Sequence, residues 1–272
     1  MLREIHLSAD LPPVCRLGLA TRGNTHLRPD DVQHAIARGL NYLNWCGHPD
    51  GMSRAVAALG GSRDQVVVAA QFQARSAADA AREFASMQDQ LRTERIDVVT
   101  LYYVESEQEW GEITGPGGAW EYLAEQKCRG RVKLIGLTSH QRRLAAGWAG
   151  SGRLDLLMIR YNAAHRGARR EVFPTTSARG IPVVAFTGLR WRALLAPTPA
   201  DPAGFQPPGA ADWYRFCLAE PAIAVVLTAP GDRRELEENL ALLDDWRPPH
   251  ADQHEALRLH GDRVRGHAGL FW

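Results

Sequence analysis

The chain has 272 residues, 45% of them hydrophobic and 23% charged, which is enough to bury a large core and too apolar for disorder. Its net charge of +1 leaves no whole-chain field to attract nucleic acid or an acidic membrane surface. Cys15, Cys46, Cys128 and Cys217 form no CxxC pair, the N-terminus lacks a signal-like apolar run, and no stretch approaches the ~18 apolar residues of a membrane span, so a cytoplasmic protein with reduced thiols is expected.

Eight short apolar runs read as strands, at 17–19, 41–45, 65–71, 97–104, 132–137, 155–161, 181–186 and 223–227. Helical patterns lie between them. Pro29-Asp30-Asp31 opens one with a first-turn proline and acids against the dipole. Others run over 76–92, 119–128, 141–149, 168–179, 211–219 and 234–243. Parallel strands need crossover helices, so the alternation predicts one α/β domain over 1–272, a closed (β/α)8 TIM barrel. No GxGxxG follows the first strand, which argues against a doubly wound sheet. Segment 195–209, rich in proline and glycine, reads as a loop on the active face, and 250–266 as an additional C-terminal helix packing through Leu257, Leu259 and Val264. The stretch RIDVVTLYYVE at 95–105 organises the rest. Its β-branched run is a buried strand, and its tip carries Tyr102, Tyr103 and Glu105 toward the barrel mouth, Tyr103 more as a core aromatic.

Several phrases, in order along the chain, resemble those of the aldo-keto reductases. GLNYLN at 39–44 is similar to their second-strand phrase, RIDVVTLY at 95–102 to the fourth, and GRVKLIGLTS at 130–139 to the fifth. IRYN at 159–162, with VFP at 172–174 and IPVVAF at 181–186, resembles their sixth and seventh strands, and LEENL at 236–240 the last barrel helix. The resemblance spans roughly 16–265 and implies an NADP-binding barrel that reduces carbonyls with an aspartate, tyrosine, lysine and histidine tetrad.

Carried over by that resemblance, the aspartate falls on Asn44, the tyrosine on Pro49 and Asp50, the lysine on Gln71 and the histidine on Tyr102. All four differ. In the family mechanism a lysine lowers the pKa of the tyrosine that protonates the developing alkoxide, and a neutral Gln71 cannot do so. The only lysines, Lys127 and Lys133, are placed by the topology away from the mouth. For the cofactor, Phe186 takes the position of the aromatic that stacks on nicotinamide, and Glu238 and Asn239 match residues at the adenine end. Thr138 and Ser139 replace a serine–asparagine pair, and Met158 a glutamine. Gly231, Asp232 and Glu235 stand where basic and small polar residues clamp a 2′-phosphate, which carboxylates repel; Arg233 and Arg234 partly compensate. NADP or NAD is therefore implied, without a choice between them.

The strand tips gather a polar set. Asn44, His48 and Asp50 follow the second strand, Gln71 and Gln73 the third, Tyr102 and Glu105 the fourth, His140 the fifth, and Arg160, Asn162 and His165 the sixth, with Trp45 and Trp191 as walls. Catalysis is expected from Tyr102, Asp50, His48, Asn44 and Gln71, with Asp50 or Glu105 as base and His48 or Tyr102 as acid. Substrate contacts are expected from Trp45, Glu105, His140, Arg160, Asn162 and Trp191, with Arg160 either holding an anion or, by alternation along its strand, facing the helices. His48-Pro49-Asp50-Gly51 is equally a good turn, and His140 a possible cap for the next helix. Arg142, Arg143, Arg166, Arg169 and Arg170 read as a solvated helix-start face. A lone HxD pair does not make a metal site. The leading expectation is an aldo-keto-reductase-fold enzyme doing non-redox acid–base chemistry, such as dehydration, isomerisation or cyclisation, on a small organic molecule. The alternatives are an NAD(P)-dependent carbonyl oxidoreductase with a non-standard proton donor and a non-catalytic binding protein. A monomer or small homo-oligomer without nucleic-acid or membrane partners is expected throughout.

Overall fold

The computed structural model describes residues 1–22 and 26–267. A short antiparallel pair, β1 (Glu4–Ile5) and β2 (Val14–Cys15), precedes eight parallel strands. These are β3 (Leu17–Ala20), β4 (Tyr42–Trp45), β5 (Val67–Phe72), β6 (Val98–Leu101), β7 (Leu134–Thr138), β8 (Leu156–Arg160), β9 (Val183–Phe186) and β10 (Ile223–Thr228). β10 pairs with both β9 and β3, so the sheet closes in chain order. All eight strands predicted from the apolar runs are present.

Side-chain alternation divides the barrel into two packed layers. Tyr42, Val67, Ala69, Val98, Leu134, Leu156, Val184 and Val225 pack inside it, joined by Leu7, Leu11 and Val14 of the N-terminal segment, which fill its lower end. Leu43, Trp45, Val68, Ala70, Val99 and Ile135 point outward to the helices. Gly18 makes room for the inward Tyr42 ring: a Cβ there would lie 2.9 Å from it. The buried Arg16 guanidinium donates to the carbonyls of Leu218, Ile223 and Ala224, tying the start of β3 to the segment that leads into β10. Asp97, fully buried before β6, accepts from the Val68 amide, Arg95 and Arg63 and so links β5 to β6.

The structure departs from the predicted elements in five places. The β1–β2 pair was not expected, because two-residue strands have no readable period. Gly51–Ala57 and Glu107–Thr114 are short helices, capped by Asp50 and Ser106, in segments for which the sequence predicts no element. The helix expected over 168–179 breaks into Ala168–Glu171 and Phe173–Arg179, because Pro174 lacks an amide hydrogen and fits only the first turn of a new helix. The C-terminal helix, Ala251–His267, packs through Leu257 and Val264, but Leu259 is 43% exposed on its outer face. Among the described residues no helix is long and apolar enough to cross a membrane, and the four cysteines are free thiols.

Candidate active site

The C-terminal ends of the strands open into a cleft of about 1160 Å³, measured to its open rim. Its inner end lies over the barrel axis, lined by Asn44, Gln71, Tyr102, Tyr103, Thr138, Met158 and Phe186. From there it runs beneath the loop after β9 to Pro230, Glu235, Glu238 and Asn239, beyond β10.

Period-2 alternation puts Asn44, Gln71 and Tyr102 inward, since they follow Tyr42, Ala69 and Val98 on the same face. Asn44 is 1% exposed, yet neither its amide nitrogen nor its carbonyl oxygen has a hydrogen-bond partner. The buried Thr100 and Thr138 hydroxyls are likewise unpartnered. Buried polar groups are rarely left so, and Asn44 and Thr138, which line the cleft, make a floor that can receive a polar ligand group. Tyr103, which reads from sequence more as a core aromatic, lines the cleft. On a regular strand it would point away from Tyr102, but its φ of +47° turns the ring back into the cleft, at a cost on the order of 1 kcal/mol. The two tyrosine rings lie 4.1 Å apart, and His140 stacks on the far side of Tyr103 at 4.4 Å. Burial, and then the adjoining Tyr103 phenol, push the Tyr102 pKa well above its ordinary value. His140 is shifted down by burial and by Arg160, against an opposing pull from Glu105.

The loop after β9 is strained. Thr187, Arg190, Trp191 and Arg192 adopt φ values of 56°, 49°, 48° and 72°, in the left-handed region that non-glycine residues seldom occupy. It is held at several points. The Asn162 amide donates to the Thr187 carbonyl at 2.8 Å, Gly188 sits where a Cβ would meet the Tyr214 ring at 3.1 Å, and Arg192 ion-pairs with Glu235 across the cleft. At the outer end Asn239 is 4% exposed and donates to the Thr228 hydroxyl at 2.7 Å, whereas Glu238 pairs with Arg234 on the surface. Among the described residues the carboxylates lining the cleft are Glu235 and Glu238, and no imidazole lines it. Neither lysine does. Lys127 is bound to Asp155 at 2.6 Å, and Lys133 precedes β7 at the opposite end of that strand.

Of the residues expected at the mouth, Asn44, Gln71, Tyr102, Trp191 and Phe186 line the cleft at its inner end and rim, and Glu238 and Asn239 at its outer end. Several others do not. Asp50 caps Gly51–Ala57 by accepting from the Ser53 amide at 2.8 Å, a role worth about 1 kcal/mol, and does not line the cleft. His48 is exposed in that turn, where its carbonyl accepts from the Trp45 indole at 2.8 Å. Trp45 alternates outward and is buried against the helices rather than walling the mouth. Glu105 accepts from the His140 amide at 2.8 Å and anchors the loop after β7. Asn162 is fully buried as a loop brace, accepting from Ala164 and His165 amides. Gln73 is exposed, its amide donating to Glu83.

His165 lies away from the cleft, beside Arg142, Arg166 and Arg265. Burial, reinforced by Arg190, Arg160, Arg265 and Arg142, lowers its pKa to about 4. The unfolded chain, with an imidazole near 6.5, therefore binds the proton more readily, and stability falls as pH drops from about 6.5 to about 4. His165→Gln is expected to remove about 1 kcal/mol of that loss, after screening, in urea melts compared at pH 7 and pH 4.5.

The Aldo/keto reductase family model matches residues 22–198, more than half of the chain. No curated protein matches the chain by sequence. Among solved structures it is similar to the holo form of aldo-keto reductase AKR11C1 from Bacillus halodurans, with a TM-score of 0.76 and 16% identity over 97% of this chain and 96% of that one. The apo form of the same protein gives 0.74 and 17% over the same shares. With the closed parallel barrel and the cleft at its C-terminal face, the match means that this chain belongs to the aldo/keto reductase family.

Proposed function

We propose that this chain is a carbonyl oxidoreductase that uses a nicotinamide dinucleotide and takes its proton from Tyr102, without a lysine to acidify the phenol. The observation that carries this reading is the character of the cleft's inner end, where the described residues can donate protons but include no carboxylate or imidazole to accept them. Dehydration, isomerisation and cyclisation all require a base, and the candidates Asp50, Glu105 and His48 do not line the cleft. A phenol with a raised pKa is also no base at neutral pH. Reduction of a carbonyl needs only a donor for the forming alkoxide.

The residues present fit a dinucleotide. Phe186 offers a ring face at the inner end, the Thr138 hydroxyl and the Asn44 amide are buried without partners, and Asn239 stands at the outer end. Hydride for the carbonyl carbon would come from a dihydronicotinamide held there when the dinucleotide is bound. Tyr102 gives its phenolic proton to the carbonyl oxygen, and the phenolate is reprotonated from water at the open rim. Asn44 and Gln71 orient the carbonyl from the floor, and the apolar faces of Met158 and Phe186 keep water from the reacting carbon. The open cleft also speaks against a purely non-catalytic binding role.

The outer end is unsuited to a 2′-phosphate. Glu235 and Asp232 lie on that side, Arg233 is engaged by Asp31 and Glu237, and Arg234 by Glu238. NADH is therefore expected to bind at least about tenfold more tightly than NADPH in calorimetric titrations, as like charges facing each other cost on the order of 1–2 kcal/mol. Tighter NADPH binding would overturn the cofactor preference, and flat titrations with both would end the redox reading.

A further inference from the structure

Arg160 is the last residue of β8 and continues the inward face of Leu156 and Met158; it does not itself line the cleft but stacks on a residue that does. Its guanidinium carbon lies 5.3 Å from the centroid of Trp191, which forms part of the cleft wall. Its Nε is buried without a hydrogen-bond partner, and among the described residues the side chain makes no ion pair. The nearby charges are otherwise engaged. Glu105 is held by His140, and Arg142 by Glu171 at 2.5 Å. A partly buried guanidinium stacked on an indole, without a carboxylate of its own, is an anion receptor awaiting its anion.

We propose that Arg160 receives a carboxylate carried by the substrate, so that the carbonyl compounds reduced here are oxo acids whose acid group lies at the rim while the carbonyl reaches Tyr102. This rests on the oxidoreductase reading. A carboxylate matches one planar guanidinium fork bidentately, and Trp191 covers one face of that fork, leaving the edge for the ligand. Beyond the rim, Arg142, Arg166 and Arg265 surround His165, and Arg265 has no ion-pair partner among the described residues. Arg142 and Arg166 are paired with Glu171 and Asp262, so it is the charge of Arg265 that favours anions on this side of the mouth.

The test compares 4-oxobutanoate, 5-oxopentanoate and 6-oxohexanoate with butanal, pentanal and hexanal, using NADH and the full chain. At least one acid is expected to exceed its uncharged match in kcat/KM by about 30-fold or more, the scale seen when one partner of a charge-assisted pair is removed. Arg160→Gln should bring that ratio to within about threefold of unity, chiefly through KM, while Arg160→Lys keeps part of it because it retains the charge but not the fork. Equal use of acids and aldehydes by the wild type, or an unchanged ratio in Arg160→Gln, overturns the proposal and leaves the oxidoreductase reading standing. Calorimetry without cofactor separates the two. If no aldehyde is turned over, 4-hydroxybutanoate, 5-hydroxypentanoate or 6-hydroxyhexanoate must still bind the wild type, with salt-dependent affinity, while the matching alcohols do not. Absence of that difference sinks the carboxylate site on its own, and it is read on the wild type even if the variants fail to fold.

Discussion

Tyr102→Phe is expected to lower kcat for carbonyl reduction by about 10²–10³-fold, within the usual contribution of a positioned proton donor, with little change in NADH affinity. The hydroxyl is the reactive part of the side chain, and phenylalanine keeps the ring that packs 4.1 Å from Tyr103. Because burial and Tyr103 hold the Tyr102 pKa up, the wild-type rate should be flat from pH 6 to beyond 9, without the alkaline limb that an acidified phenol would give. Single-turnover oxidation of NADH, followed by absorbance, reads both. A Tyr102→Phe enzyme with full kcat would move the donor to Tyr103, whose left-handed backbone brings it into the same cleft, and Tyr103→Phe would then carry the loss.

The second large effect concerns the long loop that follows β9. Segment 196–209 has no regular structure, yet it is pinned from within. Asp201, 2% exposed at its side chain, accepts from the amide and hydroxyl of Thr198 at 2.6 and 2.8 Å, lies 3.0 Å from Nδ1 of the fully buried His260, and pairs with Arg263. Burial would raise its pKa, but the Thr198 amide, His260, the Thr198 hydroxyl and Arg263 outweigh it and hold the carboxyl below the usual range. Asp201→Ala strips that cluster of its acceptor and strands the Arg263 and His260 donors. It should cost about 3 kcal/mol in urea unfolding, the lower end for breaking a buried charge pair. The linkage has a definite sign. The folded-state pKa is depressed, so the carboxylate's contribution is present above about pH 4 and is lost as pH falls through the folded value. A variant within about 0.5 kcal/mol of wild type, the range of ordinary surface changes, would mean that the C-terminal helix does not hold this loop.

The barrel was legible because fully buried parallel strands leave β-branched runs that need no alternation to be seen, as at Val66–Val67–Val68 and Val98–Val99. The site was legible only in part. Strand parity is enough to place Asn44, Gln71, Tyr102 and Arg160 inward, although the first three are reached from sequence through the family phrases and Arg160 could, on sequence alone, face the helices. The same parity puts Trp45 outward, one residue beyond Asn44, so that error was avoidable. Tyr103 was hidden for a physical reason: a single left-handed residue reverses the face, and tyrosine gives no sign of it. Asp50 and Asn162 carry chemistry-bearing side chains that are spent on backbone amides, and short loops conceal such partners until the chain is folded. Asn41 is similar, its amide bridging Pro13 and Gln65 carbonyls.

The four left-handed residues of the β9 loop also bear on how such barrels can be recombined. Each conformation is unfavourable on its own by on the order of 1 kcal/mol, so the loop's shape is imposed by Asn162, Tyr214 and Glu235, which lie on three other segments. Transplanted alone into a sister barrel, the six residues from Thr187 to Arg192 would relax toward ordinary turns. A graft that keeps the geometry has to bring its distant supports with it.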